Sequence, residues 1–313
     1  MEPAFGVESP AFVAIRALLS ACSIGLVGAF CLRWAVLARY AGPDAEELRA
    51  AVDRRLPAII DVLAIAAVLA TLARFAAQHA AVFGASEPWT RDSVGALLVR
   101  SDWGRGWWLA LTTAVFLIWL APRLRRGIAV GWWLAAAAAL AFAASGPLSG
   151  HPAASDAPTR GVAAQLAHLL GAGGWIGGLA LLTVVAIPTA RGLTDGAQGD
   201  ADGRIAGLVR AFSPTALVFS ALLALSGLYT AWMQLGGLER LWQSAYGRTL
   251  MLKLGLLSIA VLTGAYNWRR VLPALGTPSS SARLRRSSLI ELTAAALVLV
   301  VTAVLVATPM PGD

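Results

Sequence analysis

Leu56–Phe83 reads LPAIIDVLAIAAVLATLARFAAQHAAVF, and this stretch decides the fold. Only Asp61 and Arg74 carry a formal charge in it, and Arg54 and Arg55 stand directly before it. About 20 mainly apolar residues suffice to cross a hydrocarbon core of about 30 Å as a helix. The segment therefore predicts a membrane span with a basic flank. Working outward, seven more stretches pass the same test: Ala11–Ala38, Gly106–Ala121, Gly127–Ser145, Gly161–Ala190, Leu208–Leu235, Tyr246–Leu272 and Ser287–Ala307. The span at Gly106–Ala121 is short, and Trp103, Trp107 and Trp108 are expected to anchor it at the interface. The prediction is an all-α, polytopic integral membrane protein of eight transmembrane helices. Residues 1–313 form a single transmembrane domain, because the two longest connections, Gly84–Arg105 and Arg191–Gly207, have only loop composition.

The composition agrees. Of 313 residues, 58% are hydrophobic and 13% charged, against about 25% charged in a soluble domain. A cytosolic globular enzyme, a disordered chain and a nucleic-acid-binding module are excluded, although the net charge is +8. The basic excess has a membrane explanation. Fifteen arginines fall in the odd-numbered connections and six in the even-numbered ones. The positive-inside rule then makes the odd connections cytoplasmic and leaves both termini periplasmic. Met1–Pro10 carries Glu2 and Glu8 and no basic residue, so the first span is expected to be kept rather than cleaved as a signal peptide.

This topology gives depth to the rare side chains. His79, His151 and His168, all the histidines of the chain, belong to the outer half, as do Met233, Met251 and Met310. Imidazole suits copper and other transition metals, and thioether is a soft ligand for Cu(I). The plainer readings stand beside this one: methionine fills gaps in packed cores, and an intramembrane histidine also serves as a hydrogen bond between helices. Cys22 and Cys31 lie nine residues apart in one span and cannot pair with each other. They are either small apolar residues or thiol steps for a descending Cu(I).

His168 opens the segment HLLGAGGWIGGL, in which His168, Ala172 and Trp175 share an α-helical face. Gly173/Gly177 and Gly174/Gly178 are GxxxG pairs that permit close approach of a neighbouring helix. Asp61 and Glu291 lie near arginines at the inner face, so local ion pairs are expected there. Lys253 is placed to snorkel outward or to counter a buried carboxylate, and Arg74 has no evident partner.

Taken in order, SGHP (Ser149–Pro152), the His168–Leu179 segment, YGRTLMLK (Tyr246–Lys253), NWRRVLP (Asn267–Pro273), LRRSSLIEL (Leu284–Leu292) and the closing ATP (Ala307–Pro309) resemble the CopD family of bacterial copper-resistance membrane proteins. The resemblance covers 149–309. It implies an inner-membrane protein, not an enzyme, that moves copper ions from periplasm to cytoplasm beside a separate periplasmic carrier of the CopC type. His151 then matches the histidine of the family's SGHA motif, His168 and Trp175 match the fifth-span motif, and Lys253 and Glu291 match later polar positions. Pro152 departs from the small residue usual there. The resulting expectation is a copper site of His79, His151 and His168, with Met233 or Met251 adding sulfur. Trp175, Lys253, Glu291, Cys22 and Cys31 would support it or line the pathway. Two alternatives stay open: a haem b protein ligated by His79 and His168, and a non-transporting membrane partner of the carrier.

Overall fold

The structure is a computed structural model and describes residues 10–150, 158–193, 198–235, 239–271 and 280–307. Every regular element among them is helical. α1 covers Pro10–Cys31 and runs on through a π-helical turn, Leu32–Val36. α2 is Ala45–Phe83, α3 Arg91–Leu98, α4 Asp102–Arg125 and α5 Ala129–Leu148. α6 runs over Pro158–Gly192 and contains two π-helical turns, Gly173–Gly177 and Leu182–Ala186. α7 is Gln198–Leu235, α8 Arg240–Gln243, α9 Ala245–Tyr266 with a π-helical turn at Asn267–Val271, and α10 Ser280–Ala307.

Seven of these helices are long and apolar enough to cross a membrane, and α10 contributes a shorter apolar stretch, Leu289–Leu305. Their outward faces are apolar: Val62, Leu69, Trp119, Trp133, Leu217, Leu228, Trp232 and Leu262 are all exposed. A helix satisfies its backbone polar groups internally, so such a face can meet hydrocarbon directly. α1 lies at the centre, packed on α2, α5, α6 and α10, while α4 pairs with α2 and α5, α7 with α6, and α9 with α10.

Several helices exceed the stretches that hydropathy marks. α2 begins at Ala45, eleven residues ahead of Leu56, and continues through Pro57. Its first turn holds Glu46 and Glu47, which suit the positive end of the helix dipole. The Gly84–Arg105 connection contains α3, a helix the sequence reading omits. A capping box formed by Thr90 and Ser93 starts it. Trp107 is not an interfacial anchor: it is buried, and its indole donates to the Thr71 carbonyl at 2.8 Å, tying α4 to α2. Trp108 is exposed, as an anchor should be.

Glycine decides the closest approach in the bundle. A Cβ on Gly177 would run into the Ile24 carbonyl, and one on Gly28 into the backbone of Gly177. The Gly173/Gly177 pair thus forms the contact of α6 with α1, while Cβ atoms on Gly174 and Gly178 would meet the Phe219 and Phe212 rings of α7.

Candidate functional site

The motif residues come together in two polar clusters inside the apolar bundle. The first surrounds His168. Its Nδ1 lies 3.2 Å from Oγ of Ser226 on α7, while the Ser226 hydroxyl donates to the Leu222 carbonyl at 2.6 Å. With that proton committed, Ser226 accepts from Nδ1–H, and this tautomer leaves the Nε2 lone pair for a ligand. Gly227 makes room for the ring, since a Cβ there would stand 3.0 Å from its Cε1. Lys253 on α9 is close enough to act electrostatically on the imidazole. Among the described residues it forms no ion pair with a carboxylate.

The second cluster surrounds Glu291, which is buried on α10. Asn267 Nδ2 donates to its Oε2 at 3.1 Å, and the Trp175 side chain also hydrogen-bonds to it. Among the described residues no arginine pairs with Glu291, and these two neutral donors take the place of the expected ion pair. For Asp61 the expectation holds, since Arg125 pairs with it. Both donors to Glu291 sit in π-helical turns, Trp175 in Gly173–Gly177 and Asn267 in Asn267–Val271. A π turn takes in more residues than an α turn and redirects the side chains after it. The α-helical face drawn from His168 through Trp175 misses this change of register.

Other expected residues divide between these clusters and the periphery. Cys31 is buried, and its Sγ donates to the Gly174 carbonyl at 3.6 Å, inside the same π turn as Trp175. Cys22 is a free thiol in the central hydrophobic core. Met233 lies two turns beyond Ser226 on the same face of α7 and is exposed, and Met251 is exposed near the start of α9. His79 is fully enclosed by Phe75, Phe83 and Trp89, with Nε2 at 2.9 Å from Oγ of Ser93. Its ring ties α3 to α2, on a different side chain set from that of His168. His151 lies outside the described residues. Among those residues, no three His, Cys, Asp or Glu side chains gather closely enough to hold a metal ion.

Arg74, which has no evident partner in the sequence, finds its partners on α4 and at the end of α5. Nη2 donates to Oγ of Ser149 at 3.1 Å, and the guanidinium lies over the Trp103 ring at 5.3 Å. Ser149 is two residues before His151, so Arg74 grips the base of the SGHP motif.

Two family models match the chain. "Copper resistance protein D-like, N-terminal domain" matches residues 7–162, and "Copper resistance protein D" matches residues 206–305. The chain belongs to the CopD family. His79 and His151 fall in the first matched region, and Lys253, Asn267 and Glu291 in the second, while His168 and Trp175 lie between the two. The first half thus belongs to the CopD pattern as fully as the second, although its motifs are less legible. The Copper transport protein CutJ of Bacillus subtilis (strain 168) is 30% identical over 121 residues, which are 38% of this chain and 21% of that protein. The aligned part is thus about a fifth of the relative's length. No solved structure matches. The CopD assignment and the apolar bundle make this a copper-related, multi-pass membrane protein.

Proposed function

We propose that the chain is a copper permease of the inner membrane, carrying copper ions from the periplasm toward the cytoplasm. One observation carries the reading: polar residues at motif positions on three helices, α6, α9 and α10, gather in two clusters, His168 with Ser226 of α7 and within electrostatic reach of Lys253, and Trp175 and Asn267 on Glu291. Polar side chains inside a membrane bundle are costly to keep and mark substrate paths. In this reading His151 captures copper at the periplasmic mouth, and a separate CopC-type carrier delivers it there. Nε2 of His168 then receives the ion, with Met233 on the approach. Cys31 provides a soft donor beside the π turn, and the Glu291 cluster lies further along the bundle. His79 contributes by holding α3 in place beside the mouth.

Copper uptake into proteoliposomes containing the purified chain tests the proposal. Wild-type protein is expected to load copper into the lumen, and His168→Ala to reduce the initial rate at least about tenfold, since losing even an outer-shell partner of a ligand costs about 10–100-fold. Equal uptake by vesicles with wild type and with His168→Ala would reject it.

A further inference from the structure

At the end of the bundle holding the first and fifth connections, a cavity of about 770 Å³ opens between the Arg39–Asp44 segment and the base of α7. Its lining includes three arginines, Arg39, Arg204 and Arg210, but only one carboxylate, Asp44. Asp44 is already engaged. Arg204 forms an ion pair with it, and Tyr40 donates to its Oδ1 at 3.0 Å. Among the described residues neither Arg39 nor Arg210 forms an ion pair, so two positive charges line the cavity with no carboxylate partner among those residues. Arg39 is held in place by Nη1, which donates to the Ala35 carbonyl at 2.8 Å and to Oγ1 of Thr215 at 3.2 Å. The Tyr40 ring is fitted against Gly42 and Gly207: a Cβ on Gly207 would stand 2.7 Å from Cε2, and one on Gly42 would run into the hydroxyl.

The excess of positive charge along this lining disfavours a metal cation. It suits an anion instead. Guanidinium groups bind phosphate oxygens in paired, charge-assisted hydrogen bonds. Basic pockets between transmembrane helices, at the level of the headgroups, bind phosphate-bearing lipids. We propose that Arg39, Arg204 and Arg210 form a binding site for a phosphate-bearing anion at this end of the bundle. The shared chemistry is the phosphate, carried either by an anionic lipid headgroup or by a free phosphate ion.

The test uses the full-length, delipidated protein in detergent, with binding read from thermal stabilisation against probe concentration. The probes are cardiolipin, phosphatidylcholine and inorganic phosphate. Wild type is expected to be stabilised by cardiolipin and not by phosphatidylcholine, with affinity falling as salt rises. Arg39→Gln/Arg210→Gln should weaken cardiolipin at least about tenfold, and Arg39→Lys/Arg210→Lys should weaken it less, since lysine keeps the charge but loses the fork. Stabilisation by inorganic phosphate as well, lost in the same variant, would assign the site to the free ion. If the double variant does not fold, Arg210→Gln alone serves, since that side chain is exposed and makes no ion pair among the described residues. Failure of wild type to respond to either phosphate probe, or binding within twofold by a folded Gln variant, would overturn the proposal.

Discussion

Nδ2 of Asn267 lies 3.1 Å from Oε2 of Glu291, and the same side chain hydrogen-bonds to Trp175, so one carboxyl group holds together α9, α10 and the π turn of α6. Replacing it by alanine strands two buried donors, at a cost of about 1–3 kcal/mol for each. Glu291→Ala is expected to lower the unfolding temperature of the detergent-purified protein by several degrees. Glu291→Gln keeps an acceptor and adds a donor, which can serve Oδ1 of Asn267, a buried atom with no hydrogen-bond partner. It should unfold close to wild type. A Glu291→Ala variant as stable as wild type would show that the three helices do not depend on this group.

The α1–α6 seam should tolerate no side chain. Gly177→Ala puts a methyl group into the Ile24 carbonyl, which belongs to rigid helical backbone and cannot swing aside. Forced overpacking of this kind costs about 1–3 kcal/mol. Gly255, on α9, provides the control, because a Cβ there meets nothing within 4 Å. Gly255→Ala should be neutral or stabilising by up to about 1 kcal/mol, the helix-propensity gain of alanine over glycine. Thermal unfolding of both variants in one detergent decides the matter, and equal loss in both would mean that the seam is not closely packed.

The apolar bundle was plain in the sequence because bilayer thickness imposes a length and a composition that hydropathy reads directly. The GxxxG seam was equally readable, since only glycine permits that approach. Trp107, Glu291 and Arg74 were not, because each depends on a partner far away in sequence: the Thr71 carbonyl, Asn267, and Ser149. The π turns were hidden too. GGWIG looks like an ordinary stretch of helix, and the extra residue per turn that presents Trp175 to Glu291 has no pattern in a single sequence. His168 stands out in the sequence as an ionisable residue in lipid, but its tautomer depends on Ser226, 58 residues away.

Arg74 and Ser149 form the next testable pair. Their 3.1 Å hydrogen bond joins α2 to the end of α5, two residues before His151. In a double-mutant cycle of Arg74→Met and Ser149→Ala, contacting residues should be non-additive by about 0.5–3 kcal/mol. Both single variants should also weaken copper uptake at limiting copper, because each frees Ser149, the first residue of the SGHP motif. Additive stabilities within error, together with unchanged uptake, would show that this contact anchors nothing.

Tyr40 gives a pH signature outside the spans. Burial, reinforced by the hydrogen bond to Asp44, pushes its phenol up to about 12, against about 10 in an unfolded chain. The folded state then holds the proton more tightly. The associated stability is intact below about pH 10 and is lost as the pH rises toward 12. Tyr40→Phe has no proton to lose, so the difference in stability between wild type and variant should shrink or reverse across that interval. A constant difference from pH 9 to 12 would refute the linkage.

The tautomer of His168 has the most direct consequence for metal binding. Ser226 accepts from Nδ1–H because its own proton goes to the Leu222 carbonyl, and Nε2 is left as the ligand atom. Ser226→Ala removes one of the two acceptors beside the ring, the Leu223 carbonyl being the other, but not the ligand, and loss of such a partner weakens metal affinity by about 10–100-fold. His168→Ala should abolish that binding event altogether. Copper titration of the purified protein, followed spectroscopically, is expected to give a graded series of wild type, Ser226→Ala and His168→Ala, with the same stoichiometry in the first two. Because a proton and copper compete for Nε2, lowering the pH should weaken binding in wild type and Ser226→Ala. Full affinity in Ser226→Ala would mean that the ring is held by something else. Full stoichiometry in His168→Ala would remove this histidine from the copper path.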